Sequence, residues 1–297
     1  MNLLTSFLSL ATIAHTQQLI QAYGNLTLPP GDTTILGNIY NYWVALPNKT
    51  FDLTRALYLP TTTPVTIPMN GSRKAAIIEP SRSALVIIDM QNFFLHPDLN
   101  AKATGGRTAV QPTLNMIEGF RKKGMPVLWT NWGLDEYDLL TIPPSFLDGF
   151  SSDNSPLTTF GSEMGMVNGT YAGRTLMRGS WNARPYGPLY DAQVKGVADG
   201  TDFYFNKNRL SGLWGAQTPL GLYLQENQIT TLFFGGVNAD QCVWGTFLDA
   251  YYKGYDVVWV DDIAATTSPQ AATDMVRYNA NLDGFVTNSS IVLSALA

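Results

Sequence analysis

The sequence predicts an α/β fold in which helices cover both faces of a parallel sheet. Two observations carry this. Apolar runs of four or five residues recur without polar interruption, the pattern of strands buried on both faces. Stretches with helical spacing separate them, so strands and helices alternate from residue 83 onward.

Taken in order, Met1 to Ala14 reads as a signal peptide. Leu3, Leu4, Phe7, Leu8, Leu10 and Ile13 form a short apolar region, and Thr12 and Ala14 suit the positions before a cut. No Lys or Arg precedes the apolar region, and an amphipathic helix is the alternative. Sequons at Asn25, Asn48, Asn70, Asn168 and Asn288 agree with a secreted, glycosylated chain. Residues 15–80 read as an N-terminal extension punctuated by proline. Tyr40, Tyr42, Trp43, Val44 and Tyr58 belong to a few strands that pack on the main body, and no chemistry is visible there.

The main domain is expected over residues 81–297. Ala84 to Ile88 is its first buried strand. A helix over 107–123 follows, with Val110, Leu114, Ile117 and Phe120 on one face and Gly124 ending it. Pro126 to Thr130 is a second buried strand. Residues 133–195 form a long insertion, and a loop of that length in a compact domain usually serves function. Alternation resumes with a strand at Asp202 to Phe205. A helix at Pro219 to Asn227 is capped by Thr218 with Pro at its first position. A strand at Thr230 to Phe234, a helix from Gln241 to Lys253, a strand at Tyr255 to Val260 and a helix over 269–281 complete the pattern.

Composition narrows the function. The chain has 297 residues, 45% hydrophobic and 14% charged, enough for one sizeable core. No apolar stretch reaches the length of a membrane span. The net charge is -5 and the basic residues are scattered, so no nucleic-acid groove is expected. The only cysteine, Cys242, cannot form an intrachain disulfide. With His15 and His96 as the only histidines, a zinc site of the usual N/S type is not expected. No cofactor is expected, and the partner is a small-molecule substrate.

Ligands in such sheets sit at the carboxyl ends of the strands, and three ends stand out. Asp89 follows the first strand, beside Phe93 and Phe94, in surroundings that raise a carboxylate's proton affinity; the alternative is a structural turn cap. Lys207 follows Phe203-Tyr204-Phe205-Asn206 and either supplies fixed positive charge or extends to solvent. Cys242 sits in the first turn of a helix after Gly235 and Gly236. A helix N-terminus lowers a thiol's pKa and presents free N–H groups to an oxyanion. The alternative is a buried, inert cysteine.

Together these segments resemble the isochorismatase-like cysteine hydrolases, over roughly residues 80–285. The resemblance rests on Asp89-Met90-Gln91, the Lys207 segment, and Gly-Val-x-x-x-x-Cys-Val from Gly236 to Val243. Phe247-Leu248-Asp249-Ala250 and Val260-Asp261-Asp262-Ile263-Ala264-Ala265 continue it. It implies a three-layer α-β-α fold with a mostly parallel, roughly six-stranded sheet of Rossmann-type topology. It also implies an Asp89–Lys207–Cys242 triad that cleaves a small amide or related acyl bond through a thioester. In relatives the pair matching Val237-Asn238 is joined by a cis peptide, and the amides of Asn238 and Cys242 would hold the oxyanion. Relatives assemble as dimers or tetramers, so a homo-oligomer is expected by analogy.

The chain also departs from relatives. Nicotinamidases carry a metal site of Asp and His after the second strand. Here that region reads Thr130-Asn131-Trp132-Gly133-Leu134-Asp135-Glu136-Tyr137, without histidine, so no metal is expected. Vinyl-ether hydrolysis of an isochorismate-like acid is the second reading, and a non-catalytic binding protein the third. Gln91, Phe94, Trp129, Trp132, Tyr137 and Trp181 are assigned to substrate binding, with Tyr186 and Trp214 as further candidates. Aromatics at these positions serve core packing equally well. Arg174, Arg178 and Arg184 either read a substrate carboxylate or are solvated loop charges.

Overall fold

A computed structural model describes residues 33–297 apart from 39, 152 and 156. The expected signal peptide and the sequon at Asn25 lie outside the described residues.

The main sheet has six strands, all parallel: β6 (Ser83–Ile88), β7 (Val127–Trp132), β10 (Asp202–Lys207), β11 (Thr231–Val237), β12 (Asp256–Ala265) and β13 (Phe285–Thr287). Their spatial order is β10-β7-β6-β11-β12-β13. The chain therefore builds outward from β6 in one direction, then crosses back and builds outward in the other. The reversal lies between β6 and β11, the kind of switch point at which such sheets bind their ligands. Asp89 and the Cys242 segment follow those two strands.

Burial on both faces explains the uninterrupted apolar runs. Phe233 meets Phe120 of helix α3 (Val110–Lys122), and the next residue, Phe234, meets Phe247 of α8 (Trp244–Tyr252) on the opposite face. Short helices α1 (Asn92–Leu95) and α2 (Thr104–Thr108) precede α3. Helix α7 (Pro219–Glu226) is capped by the Thr218 hydroxyl, which accepts from the Gly221 amide. Helix α9 (Gln270–Asp283) packs on β12 and β13.

The insertion differs from its expected bounds. It contains helices α4 (Glu136–Thr141) and α5 (Pro144–Gly149) and the hairpin β8 (Met166–Val167)–β9 (Thr170–Tyr171). It ends before 195, because α6 runs Pro188–Asp199 with Pro at its start and Gly200 in the left-handed conformation at its end. That helix buries Leu189, Gln193 and Gly196, which gives too little apolar periodicity to read. Strand β13 and the last helix, α10 (Ser289–Leu296), were also not anticipated; α10 is capped by Asn288, whose side chain accepts from the Ile291 amide.

The described part of the extension forms a second sheet of β1 (Thr34–Asn38), β2 (Asn41–Leu46), β3 (Thr50–Asp52), β4 (Val65–Pro68) and β5 (Ala75–Ile78), ordered β1-β2-β3-β5-β4. Its Leu53, Ile67, Met69, Ala76 and Ile78 join the core of the main domain, and aromatic and polar contacts fix it further. Trp43 and Phe51 pack on Phe285, with the Arg73 guanidinium over all three rings. The buried Asp256 carboxylate accepts from Trp43 Nε1 and Arg55 of the extension and from Thr231 of β11. Among the described residues, no helix is long and apolar enough to cross a membrane.

Candidate active site

Asp89 is the first residue past β6. Its φ of 49° is left-handed, a conformation Asp tolerates better than most residues and one that recurs at functional turns. Its amide donates to Thr130 and its carbonyl accepts from the Gln91 amide. The carboxylate is thereby turned back over the sheet end, fully buried. Oδ1 accepts from the Trp132 amide at 2.9 Å, and Oδ2 lies 2.9 Å from Lys207 Nζ.

Lys207 closes β10, one residue pair across from Trp132 in the β7 register. The strand runs two residues past its expected end, so Lys207 belongs to the sheet and its ammonium is held inward. Nζ also donates to the Arg209 carbonyl at 3.1 Å and stands 4.0 Å from the Trp132 ring centroid.

Cys242 lies in a π-helical turn, Ala239–Val243, that leads into α8. Gly236 makes the approach to this turn possible. Its φ is +123°, and a Cβ there would stand 2.0 Å from the Ile88 carbonyl oxygen. The Val237–Asn238 peptide is cis. The Asn238 carbonyl accepts from the amides of Gln241 and Val243, and the Cys242 carbonyl accepts from the Thr246 hydroxyl. The thiol is buried, and Lys207, Asp89 and Trp132 are the side chains that act on it.

The electrostatics correct one expectation. The thiol stands above its ordinary value and not below it. Burial pushes it up to about 12, Lys207 pulls it down, and the Asp89 carboxylate raises it further. The resting cysteine is therefore a protonated thiol beside a base. Burial likewise raises Asp89 above the usual carboxylate range, opposed by the Lys207 charge and by hydrogen bonds from Lys207, Cys242 and the Trp132 amide. A carboxylate with raised proton affinity next to a thiol is arranged to take its proton.

The residues assigned to substrate binding separate into groups. Trp132 is in contact with this cluster, wholly buried, and backed by Phe146, Phe150 and Phe160 of the insertion. Phe94 is buried against Phe93 close to the Asp89 turn. Gln91 is a correction: it is wholly buried, donating to the carbonyls of Trp132 and Ala183, so it ties β7 and the insertion to the Asp89 turn. Trp129 is another. Its side chain alternates to the far face of β7, where Nε1 donates to Asp202 in the core. Tyr137 is also corrected, being 72% exposed on the outer face of α4. Trp181 and Tyr186 line a separate cleft with Asn92, His96 and Arg184.

A cavity of about 170 Å³ opens onto Lys207, lined by Arg178, Asn206, Asn208, Trp214 and Gln217 among others. Sequence reading named Arg178 and Trp214 but gave no binding role to Asn206, Asn208 or Gln217, which no motif marks. The arginines of the insertion are internally engaged: Arg174 with Glu136, Arg178 with Asp135 and Asp138, and Arg184 over Tyr190. Among the described residues, no group of three or more His, Cys, Asp or Glu is placed to hold a metal. The segment Thr130–Tyr137 contains no histidine and its Asn131 is a buried amide, a donor set that does not fit such an ion.

Three solved structures share this architecture. A nicotinamidase from Bacillus subtilis has 23% identity and a TM-score of 0.52, over 70% of this chain and 99% of its own. An N-carbamoylsarcosine amidase from Thermoplasma acidophilum has 26% identity and a TM-score of 0.50, over 70% and 96%. A cysteine hydrolase from Pseudomonas syringae pv. phaseolicola 1448A has 19% identity and a TM-score of 0.57, over 80% and 98%. The isochorismatase domain model matches residues 83–289, from the first residue of β6 to the start of α10, so this chain belongs to the isochorismatase family.

Proposed function

We propose that this isochorismatase-family hydrolase cleaves a small amide or related acyl C–N bond through a thioester on Cys242. The observation that carries the reading is the buried Asp89 carboxylate, paired with the Lys207 ammonium at 2.9 Å, the two charges acting together on the buried Cys242 thiol. Asp89 takes the thiol proton as sulfur attacks the carbonyl carbon. The oxyanion is held by the amides of Asn238 and Cys242. As the tetrahedral adduct collapses, the C–N bond breaks and Asp89 returns the proton to the leaving amine. Asp89 then takes a proton from water as it attacks the thioester, the C–S bond breaks, and the acid leaves with the thiol restored. Lys207 holds the positive charge that keeps Asp89 ionised between these steps.

The similarity to an N-carbamoylsarcosine amidase supports a substrate with an amide or carbamoyl group. The retained thiol favours this over vinyl-ether hydrolysis, which needs no nucleophilic sulfur. The test is a panel of small amides and carbamoyl compounds, with mass detection of an acyl adduct. Cys242→Ala is expected to fold and lose turnover, and unchanged turnover in that variant would overturn the reading. Release of pyruvate from an isochorismate-like acid, without amine, would favour the vinyl-ether reaction.

An extracellular setting is supported by the apolar leader, and by the exposure of Asn48, Asn70 and Asn168. Asn288 is less suited to glycosylation, since its side chain caps α10. The mass of the N-terminal peptide from the secreted protein tests this.

A further inference from the structure

The indole N–H of Trp132 is the one feature of the cluster that the proposed reaction has not used. Trp129, Trp132 and Trp259 are the tryptophans buried to 1% exposure or less. Trp129 donates to Asp202 and Trp259 to Asp261. Trp132 Nε1 is buried with no hydrogen-bond partner aligned to it. Such an unmet donor is costly, and a fold retains one where another state supplies the acceptor.

The ring is held from every side. The Trp132 amide donates to Asp89 Oδ1 and Gln91 Oε1, and its carbonyl accepts from Gln91 Nε2. Lys207 Nζ stands over one ring face, and Phe146, Phe150 and Phe160 pack around the rest. The indole cannot turn to find another acceptor without breaking these contacts. Its neighbour is Cys242: the indole N–H, like Lys207, acts to pull the thiol down against the effect of burial.

We propose that Trp132 is a further catalytic residue, whose Nε1–H becomes the hydrogen-bond donor to the Cys242 thiolate. A thiol is a weak acceptor, so the bond is poorly made at rest. When Asp89 takes the proton, negative charge appears on Sγ and the indole gains the partner it lacks, while keeping its own proton. The interaction is stronger after proton transfer than before it, which is the condition for accelerating the attack. Lys207 compensates the charge through space; Trp132 does so through a directed bond on the sulfur itself. This inference rests on the proposed role of Cys242 as nucleophile.

The test uses the full chain with Trp132→Phe, which keeps an aromatic face for Lys207 and removes the N–H. A second variant carries benzothienylalanine at position 132, which keeps the bicyclic shape with sulfur in place of the N–H, should phenylalanine disturb folding. Alkylation of Cys242 by iodoacetamide, without substrate, is followed by mass across pH. Both variants are expected to alkylate about 10-fold more slowly near neutral pH, with the rate–pH curve moved to higher pH. With substrate, kcat falls and KM changes little. Folded variants whose alkylation curves overlay the wild type would overturn the inference while leaving the nucleophile in place. A wild-type thiol that does not alkylate, together with full turnover in Cys242→Ala, would instead overturn the proposed function and this inference with it.

Discussion

Asp89 and Lys207 form an ion pair across strand ends that are not adjacent, with β7 between them and 2.9 Å separating Oδ2 from Nζ. Both side chains are almost wholly buried, so each charge depends on the other for its solvation. Trp132, at the end of the intervening strand, touches both partners, its amide donating to Asp89 and its ring facing the Lys207 ammonium. The same two charges act on the cysteine in opposite senses, Lys207 lowering its proton affinity and Asp89 raising it.

Lys207→Met strands a buried carboxylate. Stability is expected to fall by about 3–5 kcal/mol and turnover to disappear. Adding Asp89→Asn removes the stranded charge, so the double variant should be more stable than Lys207→Met alone, yet remain inactive. Urea midpoints of the two single variants and the double variant measure this coupling. Equal midpoints for Lys207→Met and the double variant would show that the pair does not share its burial cost.

Gly236→Ala tests the close approach of β11 to β6. A methyl group at 2.0 Å from the Ile88 carbonyl oxygen, at a φ of +123°, forces the Asp89 and Cys242 segments apart. Destabilisation above about 3 kcal/mol is expected, with loss of activity in whatever protein folds. Gly124→Ala is the comparison, since its φ is also positive but nothing lies within 4 Å of its Cβ. Similar unfolding midpoints in the two variants would show that backbone conformation alone, and not the contact, sets the cost.

The strand ends bearing Asp89, Lys207 and Cys242 were legible because each follows a run of apolar residues that only a doubly buried strand explains. The convergence of those ends was carried by resemblance, since spacing along the chain does not encode strand order. Trp129 and Trp132 show the limit of composition. They lie three residues apart on one strand and point to opposite faces, one toward Asp202 and one under the Lys207 ammonium. Which aromatic faces which layer follows from the start of β7, and sequence fixes such boundaries poorly. Tyr137 was misplaced for another reason. Asp135 caps α4 in a reciprocal pair with Asp138, and this turns Tyr137 to solvent. Strand β13 spans three residues, too few for any periodic signal.

Asp256→Ala should loosen the docking of the small sheet on the main one. Its carboxylate gathers Trp43, Arg55 and Thr231, and its loss leaves the Arg55 guanidinium buried without a counter-charge. A loss of about 3 kcal/mol is expected, with faster proteolysis in the irregular stretch over residues 53–64. Leu53, Ile67, Met69, Ala76 and Ile78 share the main core, but most of that core lies within residues 83–297, so cleavage over 53–64 should precede loss of the near-UV signal. Coincident loss of both would show that the two sheets unfold as one unit.

Burial of Cys242 has a consequence for stability at high pH. The folded thiol titrates near 12 and an unfolded one near the ordinary value of 9. Between those values the folded state binds more protons than the unfolded state, so stability falls as pH rises through this window. One such group contributes a slope of at most about 1.4 kcal/mol per pH unit. Tyr42 and Tyr223 are also raised to about 12, by burial, and add slopes of the same sign. They are present in Cys242→Ala as well, so the difference between the two proteins isolates the thiol. The stability advantage of wild type over Cys242→Ala, from urea unfolding with reductant, should shrink steadily from pH 9 to pH 11. Parallel curves would mean that the folded site accommodates the thiolate without cost, and that Asp89 is not needed to remove the proton.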